Sequence, residues 1–151
     1  MKKEIFLATI LGLFMVASPL SKALAGGYDD YDCQGCTPGY WKQPQHLDSW
    51  HGYSTGDTFN EVFGVDVEQL YDVTLLDALS LHNCGGGDAN KECALARHAV
   101  AALLNAANYG VHYKYSPWAV KDIVQHAYYN GHVEYAKNKL AEANEMNCPL
   151  N

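Results

Sequence analysis

The sequence predicts an all-α protein, a small bundle of about four helices stapled by disulfides, with an irregular, aromatic-rich wrap at its N-terminal side. Three observations predict this class. Apolar residues recur at helical spacing through the second half of the chain, no segment shows the sustained alternation of a β-strand, and five cysteines follow an export signal. We therefore expect helices packed on helices around one core.

Residues 1–25 are expected to be a signal peptide. Two lysines open the chain, an apolar run covers residues 5–16, and Ala23-Leu24-Ala25 forms a cleavage site before Gly26. The run is too short for a membrane span, which needs about 20 residues. No cysteine stands directly after the cut, so no lipid anchor is expected. The mature chain is predicted to be secreted, periplasmic or at the cell surface.

The mature part is expected to hold one domain. Residues 26–35 read as a flexible acidic leader, and residues 36–151 as a single helical domain. Without the signal, 7 Lys and Arg face 16 Asp and Glu, a net charge of −9. This acidity argues against nucleic acid and anionic membrane surfaces as partners.

Glycine and proline interrupt residues 33–58, which predicts the irregular wrap. Asp57 is expected to cap a short helix that Gly64 ends. The apolar spacing over residues 67–79 then predicts either one amphipathic helix or two consecutive ones, because Thr74 and Asp77 resemble a capping box that would restart the helix. The glycines at 85–87 must end this region.

The alanine-rich segment from Cys93 to Ala107 is predicted to be the central helix. Its apolar face excludes Arg97, Asn105 and Asn108, which are expected on the polar side. A further helix should begin after Ser116-Pro117 and end at Gly131. The last helix is expected from about Val133 to Asn144, and a short extended piece is possible over residues 111–115.

Five cysteines allow fifteen arrangements of two bridges. Cys84 and Cys93 flank the glycine turn and are expected to pair. Cys36 or Cys33 would pair with Cys148, with Cys36 favoured, so that Cys33 is left free or joined to a partner molecule. The CxxC spacing also fits redox or zinc chemistry. Export and the Thr37-Pro38-Gly39 turn favour a structural bridge instead.

Seven histidines raise the question of a metal site, but neither HExxH nor HxH occurs. The alternative metal site would use His46 and His51 with a histidine from a helix. No GxSxG frame for nucleophilic catalysis is present. We therefore expect no cofactor and no catalytic residues.

Aromatic side chains concentrate in the wrap, at Tyr40, Trp41, Trp50 and Tyr53. Such rings can stack on sugars or anchor a protein partner. Filling the gaps left by the small alanines of the helices is the favoured interpretation.

Three motifs carry a resemblance to a known group of proteins. They are Cys36-Thr-Pro-Gly-Tyr-Trp-Lys42, Gly85-Gly86-Gly87, and the run from Leu95 to Ala106 that reads LARHAVAALLNA. Together with Trp50 and residues 75–79, they resemble a module found in exported bacterial proteins. Such proteins tend to place Asn-His directly after the lysine, whereas this chain has Gln43-Pro44-Gln45 before His46. The resemblance implies a secreted or surface-displayed domain and no particular activity.

The expected function is therefore that of a secreted or cell-surface structural or binding module without catalysis. Its partner would be an extracellular protein, a matrix component or a second copy of the chain. The alternative is a metal-binding protein or metal-dependent enzyme that uses the loop and helix histidines.

Overall fold

The structure, a computed structural model, describes residues 32–150. The predicted signal peptide and most of the predicted acidic leader lie outside the described residues, so both stay predictions. No helix within residues 32–150 is long and apolar enough to cross a membrane.

The all-α prediction is confirmed. Residues 32–150 contain no strand, only an isolated bridge between Thr58 and Thr74. The elements, with 3-10 helices labelled η, are α1 (Pro38–Trp41), η1 (Pro44–Ser49), α2 (Phe59–Phe63), η2 (Glu68–Leu70), α3 (Leu75–Ala78), α4 (Gly87–Ala107), α5 (Pro117–Asn130) and α6 (Val133–Asn144).

Helix α4 lies at the centre, as predicted, and packs against α1, α3, α5 and α6. Its apolar face is fully buried at Leu95, Ala99, Val100 and Leu103, among others. The alanines on this face let neighbouring helices approach closely, and each large aliphatic side chain that is buried contributes roughly 1.5–3 kcal/mol.

The helix ends of α5 and α6 follow from local chemistry. The Ser116 hydroxyl accepts a hydrogen bond from the amide of Ala119 at 3.2 Å, and proline occupies the first helical position. Gly131 ends α5 in the left-handed conformation, with φ of 73°. Helix α6 then spans the predicted residues.

A single helix over residues 67–79 was the wrong alternative, because this region divides into η2 and the one-turn α3. Between them, backbone groups pair with a distant segment: the Phe59 amide donates to the Val73 carbonyl at 2.9 Å, and the Leu75 amide donates to the Asp57 carbonyl at 2.8 Å. Thr74 caps α3 by accepting from the Asp77 amide at 3.1 Å. The bundle consequently has three long helices and several short ones.

Three smaller boundaries also differ from the predictions. Thr58, and not Asp57, precedes α2, because the Asp57 carboxylate accepts from the Ser54 amide at 2.8 Å. Helix α4 begins at Gly87, so the glycine turn runs directly into it. Residues 111–115 form an irregular connection.

Candidate functional site

The cysteines pair as predicted. Cys36 is bonded to Cys148 across 112 positions of sequence, and Cys84 is bonded to Cys93 across 9. Cys33 is a free cysteine, but only 7% of it is exposed. This burial corrects the suggestion of an intermolecular bond through Cys33, since a covered sulfur cannot meet the sulfur of a second molecule without local opening.

The CxxC segment is a packing element. Gly35 donates its amide proton to the carbonyl of Met146, and a side chain at this position would overlap the carbonyl oxygen of Ala143. Only glycine permits this close approach to the end of α6. Cys36 is committed to the long-range disulfide, so the two cysteines of this motif do not form a redox pair.

The predicted exposure of Asn105 is wrong, because its side chain is fully buried under the wrap. The Asn105 Oδ1 atom accepts from the Cys36 amide at 2.8 Å and from the Trp41 ring nitrogen at 3.1 Å. Its Nδ2 group donates to the Cys36 carbonyl at 2.8 Å and to Asn144 Oδ1 at 3.0 Å. Every donor and acceptor position of the amide is therefore used.

Asn144, on α6, extends this buried network. Its Oδ1 atom also accepts from the Tyr113 hydroxyl at 2.8 Å, and its Nδ2 group donates to the carbonyl of His98 at 2.9 Å. Burial raises the pKa of Tyr113, which keeps the phenol neutral and able to donate. We call Asn105, Asn144, Cys36 and Trp41 the amide lock, because they join the wrap to α4 and α6.

Asn108 repeats the arrangement one turn further along α4. It too is buried, contrary to the prediction, and its Nδ2 group donates to the Ser49 carbonyl at 2.9 Å. Its Oδ1 atom accepts from the Gly110 amide at 2.8 Å. The polar residues expected to face solvent thus hold the wrap in place.

The aromatic residues of the wrap serve mainly to fill the core, as favoured from the sequence. Trp41 is fully buried, which corrects its inclusion among the candidate partner-binding residues. Trp50 is half-buried and donates its ring N–H to the Trp41 carbonyl at 3.2 Å. The Tyr40 hydroxyl donates to the carbonyl of Leu150 at 3.0 Å. These bonds fix the wrap and leave the rings only partly available.

The two histidines of the alternative metal site are engaged separately. The His46 ring stacks on Tyr40 at 3.9 Å between centroids, whereas His51 meets Tyr109 edge-on at 5.8 Å. Within residues 32–150, no group of three or more His, Cys, Asp or Glu side chains is arranged to hold a metal ion. His46 and His51 thus belong to no such group within the described residues.

His98, on α4, is half-buried. Its Nδ1 atom has no hydrogen-bond partner among the described residues. Burial, together with the positive charges of Arg97 and Lys137, lowers the pKa of His98 from its ordinary 6.5 to about 4. The imidazole is thus held neutral in the folded protein.

This neutral histidine should make the protein less stable in mild acid. The pKa of His98 is lower in the folded than in the unfolded protein, so the unfolded chain takes up a proton first as the pH falls. The folded protein therefore has its full stability above pH 6.5 and loses part of it as the pH falls towards 4. We expect a loss of about 1–2 kcal/mol, after allowance for solvent screening of a partly exposed ring. The difference between the free energies of unfolding in urea at pH 7.5 and at pH 4.5 measures this loss.

The variant His98→Gln should reduce this pH dependence, because glutamine does not titrate. His126→Gln, which changes an exposed histidine of α5, is the matched control and should retain the wild-type dependence. Equal slopes of stability against pH in wild type and His98→Gln would contradict the assignment.

An aromatic cleft opens where the wrap meets the end of α4 and the start of α5. It has a volume of about 380 Å³ and is lined by His51, Gly52, Tyr53, Ala106, Ala107, Tyr109 and Pro117. Tyr109 is 96% exposed, and Trp118, next to the lining proline, is 74% exposed. The Lys121 ammonium lies 5.3 Å from the centre of the Tyr53 ring. We refer to these lining residues as the aromatic cleft.

Of the residues at this cleft, the sequence pointed to Tyr53 as a candidate binding ring and to His51 only as a candidate metal ligand, and it did not point to Tyr109 or Trp118. The position of each residue at a helix end could have indicated its exposure. Tyr109 lies beyond the end of an apolar helix face, and Trp118 follows a helix cap, where no core position is expected. Exposed aromatic residues grouped at one place commonly mark a contact surface.

Comparisons with protein-family models, with curated proteins and with solved structures found no match for this chain. Its function is therefore inferred from the chemistry of its surface. The amide lock is enclosed and structural, whereas the aromatic cleft is open to solvent and offers flat rings beside polar groups. The cleft is the candidate functional site.

Proposed function

We propose that this protein is a secreted or surface-displayed binding module without catalytic activity, and that the aromatic cleft binds a neutral polysaccharide of the extracellular matrix. The observation that carries the proposal is the nearly complete exposure of Tyr109 at the margin of the cleft. A ring so exposed adds little to the stability of the fold, and its grouping with Tyr53 and the exposed Trp118 supports a role in binding.

The lining chemistry favours a sugar over a protein side chain. Tyr53 and Tyr109 present flat rings on which the C–H face of a pyranose can stack, while the phenol hydroxyls and the His51 imidazole can bond to sugar hydroxyls. The other lining residues are glycine, alanine and proline, which leave room for a ring. Protein-binding hot spots more commonly offer a closely packed hydrophobic pocket.

Charge favours a neutral sugar chain. None of the residues that line the cleft is acidic, but the mature chain as a whole would carry a net charge of −9. A polyanionic polysaccharide would be repelled at long range. The two disulfides are compatible with an oxidising extracellular setting, where such polymers occur.

The test measures retention of the purified mature protein on insoluble cellulose and chitin and its gel mobility in soluble neutral glucans. We expect retention by at least one polymer, and Tyr109→Ala should weaken it about tenfold, since stacking of one ring contributes about 1.4 kcal/mol. Tyr129→Ala, which removes an exposed ring on α5 outside the cleft, is the matched control. Absence of retention, or equal retention of Tyr109→Ala and wild type, overturns the proposal.

A further inference from the structure

Two histidines that are distant from the aromatic cleft come together at the turn between α5 and α6. The rings of His126 and His132 lie 6.0 Å apart between centroids, with 34° between their planes. Both residues are exposed and line one groove of about 260 Å³. We propose that this pair binds a divalent transition-metal ion, with Cu²⁺ the preferred ion.

The spacing of the rings suits a shared ion. A metal–nitrogen bond of about 2.1 Å places the ion about 3.2 Å from the centre of an imidazole, so two rings on one ion have centroids at most about 6.4 Å apart. The observed 6.0 Å lies within this limit. Small rotations of the two exposed side chains bring the rings closer together and so reduce the nitrogen–metal–nitrogen angle.

The backbone holds both histidines in position before any ion arrives. Gly131 turns the chain in the left-handed conformation, and the His132 amide donates to the carbonyl of Ala127 at 3.0 Å. The His126 carbonyl accepts from the Asn130 side chain at 3.0 Å, and the His132 carbonyl accepts the Ala136 amide at 3.1 Å. Binding therefore orders two side chains and no backbone, which keeps its entropic cost low.

The charges around the pair suit a cation. Asp122 lies one turn before His126 on α5 and lines the same groove, so its carboxylate supplies a nearby counter-charge. Lys139 also lines the groove, but its ammonium lies 5.4 Å from the centre of the Tyr115 ring. A cation–π contact of this kind satisfies the lysine there.

The ligand type and number indicate the ion. Imidazole nitrogen suits Cu²⁺, which also binds most tightly among the divalent ions of its series, while Ca²⁺ and Mg²⁺ prefer all-oxygen ligands. Within residues 32–150, no group of three or more His, Cys, Asp or Glu side chains is arranged to hold an ion, so the two imidazoles would be the protein ligands and water would complete the coordination. The ion in such a site exchanges readily.

The experiment titrates Cu²⁺ into the mature protein carrying Cys33→Ser, so that no free thiol competes, and follows binding by calorimetry and electron paramagnetic resonance. We expect one principal ion per chain with nitrogen couplings from two imidazoles. His126→Ala and His132→Ala should each lower the affinity at least tenfold, and Asp122→Asn should lower it less.

Two matched controls locate the site. His46→Ala and His51→Ala remove the loop histidines, and neither should change the affinity by more than about twofold. His51, His126 and His132 are exposed and His46 is half-buried, and far-ultraviolet circular dichroism verifies that each variant is folded. An unchanged affinity in the double variant His126→Ala/His132→Ala overturns the proposal, as does loss of binding in His46→Ala or His51→Ala alone. Neither result bears on polysaccharide binding, which uses a different face.

Discussion

Replacing Asn105 with alanine is expected to lower the free energy of unfolding by about 3–5 kcal/mol. Four groups lose a hydrogen bond at once: the amide and carbonyl of Cys36, the ring N–H of Trp41 and the side-chain oxygen of Asn144, which keeps only its bond from Tyr113. Because Asn105 and Asn144 are fully buried, water cannot readily replace these bonds. Urea unfolding followed by tryptophan fluorescence measures the change.

Two further variants separate the amide lock from general effects of substitution. Asn138→Ala changes an exposed asparagine of α6 and should alter stability by no more than about 0.5 kcal/mol. Asn105→Asp preserves the shape but cannot donate when ionised, so two acceptors lose their donor and the loss should remain above about 2 kcal/mol. A loss below about 1 kcal/mol in Asn105→Ala would show that the lock is not a major source of stability.

Features governed by neighbouring residues were predictable from the sequence. The start of α5 at Ser116-Pro117 and its end at Gly131 depend on one hydroxyl, one proline ring and one left-handed glycine. The Cys84–Cys93 bridge spans a short turn. In each case the partners lie within about ten residues, so their chemistry is visible in the sequence.

Features governed by distant partners were not predictable in the same way. Asn105 reads as a polar-face residue because its partner Cys36 lies 69 positions away. Residues 73–76 read as helix in the sequence because the backbone that pairs with them comes from residues 55–59. The spacing of apolar residues predicts only which face of a helix is apolar. It does not predict which backbone or side-chain amides will form hydrogen bonds with a distant segment.

The candidate sites show the same limit. Tyr109 and the pair of His126 and His132 have no motif, because their arrangement arises from where two helices end. Loop and element-end positions of this kind commonly carry function, since they can change without disturbing the core.

The motifs that carry the resemblance to exported bacterial proteins have a structural role in this chain. Cys36 and Trp41 come from the first motif and Asn105 from the last, and the three residues bond to one another in the core. A motif of this type specifies a fold and does not specify a ligand. Binding properties are therefore expected at exposed residues outside these motifs, such as Tyr109 of the aromatic cleft and the pair His126 and His132.

Removal of the Cys36–Cys148 bridge, by Cys36→Ala with Cys148→Ala, is expected to lower the free energy of unfolding by about 5 kcal/mol in the chain-entropy model. The bridge spans 112 positions and restrains nearly the whole described chain when it is unfolded. Removal of the Cys84–Cys93 bridge, which spans 9 positions, is the matched control and should lower it by only about 2.5 kcal/mol. Urea unfolding of both variants gives the comparison.

The long-range bridge and the amide lock act on the same residue, so their effects should not add. The disulfide holds Cys36 beside α6, and Asn105 binds the backbone of that cysteine on α4. Once the bridge is absent, the wrap can detach with its hydrogen bonds, and Asn105→Ala should then cost at least about 1 kcal/mol less than in the bridged protein. If the chain without the bridge does not fold in buffer, its unfolding is measured in the presence of a stabilising osmolyte. A second measurement uses the bridged Asn105→Ala variant and follows hydrogen exchange at the Cys36 amide. Full additivity, or unchanged exchange at Cys36, would show that the two restraints are independent.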